Sequence, residues 1–201
     1  MKIKHIVFTF TFLVAISFNS NAQNYDHEIG IEITGAQGSN LGGVIGGVLK
    51  YALVDDLGND NYLAFGPSLR YQYFWNNFAP TGEFQGSGSM FGFGGFLHYR
   101  LFEWFYLGTE VEIIQNPFNP FSNWTPVGFL GGGIHHDFDF VQLNAGLMFD
   151  VIDGLRDPLS TVSSPLANNY FIRKQNPVNQ EQSGGYLPVI ARVTFFFPIG
   201  R

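Results

Sequence analysis

No cysteine occurs among the 201 residues, which excludes a disulfide framework, a thiolate zinc site, a cysteine nucleophile and an N-terminal lipidated cysteine. Charge is scarce. Asp, Glu, Lys and Arg make up 13% of the chain, about half the roughly 25% of an average globular protein. With 45% apolar residues, that scarcity speaks against a disordered chain. Positive charge is scarcest: 10 Lys and Arg stand against 16 Asp and Glu, so there is no basic patch to neutralise phosphates, and nucleic acid is excluded as a partner. Beyond the N-terminus no run of eighteen apolar residues occurs, and the mean hydropathy is too low for a bundle of membrane helices. What the chain has in abundance is glycine, 25 copies, and phenylalanine, 23 copies.

Residues 1–22 read as a cleaved secretory signal peptide. Lys2 and Lys4 form a positive start, Ile6 to Phe18 is an apolar run, and Ser20-Asn21-Ala22 supplies small residues for cleavage before Gln23. The competing reading, an anchor helix, fails because the run is too short and polar residues follow at once. Without Lys2 and Lys4 the mature chain keeps 8 of its 10 basic residues against 16 acids, a formal charge of −8.

Residues 23–201 alternate with period two. Ile29, Ile31 and Ile33 oppose Glu28, Glu32 and Thr34; Leu63 to Tyr73, Phe91 to Leu101, Phe105 to Ile113, Val141 to Val151 and Val189 to Phe197 repeat the pattern. Residues 43–54 and 124–135 are less regular, Gly- and Val-rich, and of strand length. Eight strands result, each near the length a tilted strand needs to cross a bilayer. The polar faces are rich in glycine, which a solvent face does not require but the narrow interior of an eight-stranded barrel does. The apolar faces are flanked by Tyr73, Phe74, Trp75, Tyr99, Trp104, Tyr106 and Trp124, the composition of interfacial girdles. Connections alternate in length. Val54–Asn61, Phe102-Glu103 and His136–Asp139 are short, whereas Phe74–Gly88, Ile114–Asn123 and Ile152–Tyr186 are long, and Gly35–Gly42 is modest. The predicted fold is an all-β, eight-stranded antiparallel up-and-down transmembrane barrel, apolar outside, with a polar interior filled by side chains, its short turns on the periplasmic side and its long loops outside.

The export signal ending in Asn21-Ala22-Gln23, the paired strands around Phe102-Glu103 and the aromatic last strand Val189–Phe197 resemble the small eight-stranded outer-membrane barrel proteins of Bacteroidota, similar to the OmpA-like membrane domain. The resemblance covers the whole mature chain and is one of architecture. It implies residence in the outer membrane of a Gram-negative bacterium, with membrane lipid and lipopolysaccharide as surroundings. One departure is the Pro198-Ile199-Gly200-Arg201 tail after the terminal aromatic residues.

Period two directs Glu28, Glu32, Glu110, Glu112 and Asp150 inward, together with Arg70, Arg100 and Arg192, and with Lys50 and His98. Charges in so narrow a space persist only when paired, so a salt-bridged plug is expected in preference to a proton or ion path. Neighbouring strands suggest the pairs: Arg192 with Glu28 or Glu32, and Arg100 with Glu110 or Glu112. Trp75, Phe78 and Phe84 in the second loop, with Phe118 and Phe121 in the third, are candidate contact residues, since exposed aromatics concentrate interface energy. No catalytic motif emerges. Small-barrel lipid A deacylases pair a His with a Ser two residues on, whereas His98 is followed by Tyr99-Arg100 and His135 by His136-Asp137. His135 and His136 point to opposite sides of a strand, against a metal site with Asp137 and Asp139. No cofactor is expected. The favoured reading is a non-enzymatic structural, adhesive or envelope-complex accessory barrel acting through its external loops, with another envelope protein as a candidate partner. The alternative is an outer-membrane enzyme acting on lipid A or phospholipid, and a narrow small-solute channel is less favoured.

A tag inserted at Ser163-Ser164, in the longest and most polar connection, should be reached by antibody on intact cells, and one at Gly58 should not. Labelling at Gly58 alone would reverse the topology.

Overall fold

The computed structural model describes residues 26–38, 42–76, 86–115, 124–154, 172–173, 186–187 and 189–199. Seven consecutive strands, β1 (Asp26–Gly38), β2 (Gly42–Gly58), β3 (Asn61–Asn76), β4 (Gly86–Leu101), β5 (Phe105–Gln115), β6 (Trp124–Asp137) and β7 (Gln142–Asp150), pair antiparallel in chain order. A single helical turn, α1 (Val151–Gly154), follows β7, and a short two-stranded piece pairs β8 (Ile172–Arg173) with β9 (Tyr186–Leu187). The last strand, β10 (Val189–Ile199), pairs with β7 on one side and β1 on the other, closing an eight-stranded barrel. The strands are longer than the alternation alone suggests. β4 begins at Gly86, where Gly-Ser-Gly-Ser carries no apolar rhythm, and β10 continues through Pro198 to Ile199, paired with Glu28 and His27.

Side chains obey the parity of the pleat. Glu28, Gly30, Glu32 and Thr34 of β1 are buried while Ile29, Ile31 and Ile33 are exposed, and the same alternation runs through β3, β4, β5 and β10. The exposed set is overwhelmingly apolar, Ile33 at 65% and Leu69 at 60% among it. Among residues whose side chains are described, the outward faces of the barrel strands carry one charge, Asp55 beside the β2–β3 turn. Tyr106, grouped with the girdle aromatics by sequence, instead points inward, 3% exposed, because it shares the parity of Glu110 and Glu112.

Inner-face glycines make room for large neighbours. A Cβ on Gly30 would stand 2.7 Å from the Phe196 ring, one on Gly108 would stand 2.9 Å from His98 Cδ2, and one on Gly146 would stand 2.7 Å from the Tyr106 hydroxyl. Each glycine is the hole into which a larger residue of another strand fits. Toward the long-loop end the interior is closed by an apolar cluster of Met90, Ile114, Val127, Phe129, Met148 and Ile190. A second cluster joins Ala52, Val54, Ala64, Phe96 and Phe196.

The hairpins at the other end are tight. The segment Val54–Asn61, read as a turn, is strand as far as Gly58, and only Asn59 and Asp60 form the loop, with φ of 54° and 58°. Asp56 makes this possible by accepting the Gly58 amide on its carboxylate at 2.8 Å. At the β4–β5 turn Trp104 N donates to the Leu101 carbonyl at 3.1 Å, with φ of 51° at Phe102 and 61° at Glu103. Positive φ at both central residues defines a type I′ turn, which matches the twist of the strands but strongly favours Asn-Gly. The β6–β7 turn spans 138–141, later than the His136–Asp139 read from sequence, because β6 continues to Asp137. All unburied charge among the described side chains lies at this end: Asp26, Asp55, Asp56, Asp60, Glu103, Asp137 and Asp139.

A left-handed backbone costs a non-glycine residue roughly 1–2 kcal/mol. Replacing Phe102-Glu103 by Asn-Gly should therefore raise the urea unfolding midpoint of the barrel refolded in lipid vesicles, by about 1–2 kcal/mol in stability. An unchanged or lower midpoint would mean that neighbours of Phe102 already relieve the turn.

Candidate functional site: a buried ion-pair network

Inward parity buries nine of the ten charged or titratable residues singled out by sequence; ion pairs join seven of them in one system, and Arg100 pairs with Glu28 beside it. Glu28 and Glu32 come from β1, Lys50 from β2, Arg70 from β3, His98 and Arg100 from β4, Glu110 and Glu112 from β5, and Arg192 from β10, all between 0% and 3% exposed. At its middle lie two carboxylates. Lys50 Nζ reaches Glu110 Oε1 at 2.6 Å and Glu32 Oε2 at 2.8 Å. Arg192 pairs with Glu110 and stands 3.4 Å from Glu32, and Thr194 donates its hydroxyl to Glu32 at 3.2 Å. Above this layer Arg70 grips Glu112 with two hydrogen bonds of 2.5 and 2.9 Å. Below it Arg100 grips Glu28 with two more, 3.0 and 2.7 Å, and donates to Gln142 at 2.5 Å. Such forked contacts fix geometry as well as charge.

Asp150, the tenth residue, is fully buried at the end of β7, where its carboxylate accepts the Ile152 amide at 3.1 Å and starts α1. His98 is threaded into a chain of neutral donors. His135 Nδ1 lies 2.7 Å from Asn144 Oδ1, Asn144 Nδ2 lies 3.1 Å from His98 Nδ1, and His98 Nε2 lies 2.9 Å from Glu110. With the Asn144 amide nitrogen toward it, His98 accepts at Nδ1 and donates from Nε2, a neutral tautomer. Four carboxylates, Glu28, Glu32, Glu110 and Glu112, then balance four cations, Lys50, Arg70, Arg100 and Arg192.

Aromatic rings cover the cations from the other side. Arg192 lies 4.3 Å from the Phe129 ring centroid, Arg100 lies 4.7 Å from Phe196 and Lys50 lies 5.2 Å from Phe96. Each desolvated cation thus meets a carboxylate edge-on and a π face above. Sequence reasoning missed these three rings as partners, along with Gln142, Asn144, His135 and Thr194. Their signal was parity alone: all share the inward face with the charges.

The expected pairing needs correction. Arg100 does not reach Glu110 or Glu112. Glu110 stands opposite Phe96 and Arg100 opposite Tyr106, so the two are offset by about 13 Å along the strand at roughly 3.3 Å per residue. Arg100 reaches across the barrel to Glu28 instead. Arg192 does meet Glu32, its neighbour on β1, but also takes Glu110 from the far wall. In a narrow barrel the opposite wall is as near as the next strand.

Of the loop candidates, Trp75 lies within β3 and not in a loop, its ring 6.4 Å from that of Tyr73; Phe78, Phe84, Phe118 and Phe121 lie outside the described residues. Among the described residues no group of three His, Asp or Glu side chains is arranged to hold a metal ion. No family model matches the chain, nor does any curated protein or solved structure.

Arg100→Ala should destabilise the barrel by about 3–5 kcal/mol, because Glu28 is left buried without a partner. Adding Glu28→Ala should return part of that loss in the unfolding midpoint, and adding Glu110→Ala should not. An exposed pair would lose only about 0–1 kcal/mol.

Proposed function

We propose that this chain is an integral outer-membrane barrel of a Gram-negative bacterium, exported by a cleaved signal peptide, that acts without catalysis as a closed scaffold presenting its external loops in a structural, adhesive or envelope-accessory role. One observation carries the reading: the polarity of the closed barrel is inverted relative to a water-soluble one. The outward faces are apolar and almost free of charge, whereas every Lys and Arg with a described side chain is buried inside. In water that exterior would form a contiguous apolar band far larger than soluble monomers tolerate. In a bilayer it is what hydrocarbon demands, since strands cross with all backbone groups paired and no edge left open.

The closed interior supports the scaffold role over transport. Paired charges fill the middle, and the Met90–Ile114–Phe129 cluster lies across the long-loop end, leaving no reason to expect a water column in a barrel of eight strands. The surroundings of such a barrel are membrane lipid and lipopolysaccharide, and a second envelope protein is the natural partner of its loops.

Expressed in a Gram-negative host, the protein should fractionate with outer membranes, migrate differently on a gel with and without boiling, and give little or no conductance in planar bilayers. Recovery as a soluble periplasmic protein would overturn the membrane reading. A steady open channel would overturn the closed interior.

A further inference from the structure

Two hairpins at the short-turn end carry apolar side chains where turn chemistry does not call for them. Phe102 is 63% exposed and Phe140 is 76% exposed, each within a connection rather than on a strand. Beside them three rings form a row. Trp104 and His136 lie 5.5 Å apart and His136 and Phe138 lie 4.5 Å apart, edge to face. The row is held as one surface by the hydrogen bond from His135 N to the Trp104 carbonyl, 2.8 Å, which ties the β4–β5 hairpin to β6. Strand-borne aromatics at such a level belong to the membrane interface, but Phe102 and Phe140 stand beyond the strands, at the tips.

The charge around this row identifies what fits it. Every unburied charge among the described side chains is acidic and lies at this end, Glu103, Asp137 and Asp139 being next to the aromatics themselves. An anionic lipid surface would be repelled by that rim, since such leaflets attract polybasic rather than acidic segments. A second copy docking through the same face would bring acid against acid. The complement of an apolar row inside an acidic rim is a protein segment with apolar anchors flanked by Lys or Arg, because opposite charge steers encounter and apolar burial holds the contact.

We propose that the Phe102–Trp104–Phe138–Phe140 face is a docking surface for a basic, aromatic- or leucine-bearing segment of another envelope protein, on the periplasmic side. This rests on the outer-membrane reading above, with the short turns inside. The barrel then has two working ends, its external loops and this face.

The test uses the full-length barrel in nanodiscs of zwitterionic phosphatidylcholine and a fluorescent synthetic peptide alternating lysine and leucine, with binding read by anisotropy. The peptide should bind filled nanodiscs and not empty ones, weaken about tenfold or more when salt is raised from about 50 mM to about 500 mM, and lose about tenfold with either D60N/E103Q/D139N or F138S/F140S. A matched peptide with glutamate for lysine should not bind. Heat-modifiable migration of each variant shows that its barrel is intact. Equal binding to empty nanodiscs, or full binding by both variants, would overturn the docking surface, as would sedimentation as a dimer that the same variants dissolve. An inserted, heat-modifiable barrel that binds no peptide defeats this inference alone. A chain that fails to insert defeats the membrane reading beneath it.

Discussion

The pairing of β1 with β10, Ile29 beside Phe197 and Glu32 beside Thr194, is the constraint on which everything else depends. Until that ladder forms, the sheet has two edges and no inside. Once it forms, each residue's parity decides between an enclosed space and an exposed belt, and the backbone has no unpaired edge to offer. Closure at eight strands also sets the scale. The space is too narrow to stay empty, so the side chains that enter must fit one another as well as the wall.

That fit explains why charge and glycine share the inner faces. The long cations and carboxylates cross the interior, and glycines such as Gly30 and Gly108 leave room on the inner face for Phe196 and His98, their partners on the adjacent strand. Removing charges from water is costly, and the attraction between them offsets that cost only when geometry is good and the remaining polar atoms are bonded. Forked Arg–Glu contacts at both ends of the network, the His135–Asn144–His98 chain and the aromatic faces over three cations meet part of that demand. Glu32 Oε1, Arg70 Nη1, Arg100 Nε and two nitrogens of Arg192 have no hydrogen-bond partner among the described residues. The resulting arrangement is electroneutral among the four acids and four bases.

Much of this was legible in the sequence because a strand's period is two and leaves no ambiguity of face. Eight strands, the inward set from Glu28 to Arg192 and the glycine-rich inner faces all follow from alternation. The partners did not follow. Adjacent strands can be aligned by their apolar rhythm, but Arg100 finds Glu28 across the barrel, and strand tilt and stagger have no local signature. Strand ends were obscured for a different reason: Gly86 to Ser89 carry no apolar signal, and the strand through Asp55-Asp56 looks like a turn by composition. Tyr106 was misplaced by its type, since an aromatic near a strand end reads as girdle until parity is applied. The Phe102-Glu103 hairpin was found by its brevity, although its residues are poor choices for positive φ.

The ion network has a consequence for how the chain reaches its structure. Glu32, near the start, is engaged by Lys50, by Arg70 and, 160 residues away, by Arg192; Glu28 waits for Arg100. The β1–β2 hairpin contains Glu32 and Lys50, but Glu32 with Arg70, Glu32 with Arg192 and Glu28 with Arg100 join strands that no single hairpin holds, so a partial barrel keeps unmatched charge. Such charge resists leaving water, and half-assembled sheets are thereby discouraged from entering hydrocarbon. Loop closure over so long a separation is slow, and the early strands must remain hydrated or sheltered until the last one arrives. For the membrane barrel proposed above, the same residues that bind the finished wall together would act as a check on premature insertion, coupling entry into the bilayer to completion of the cylinder.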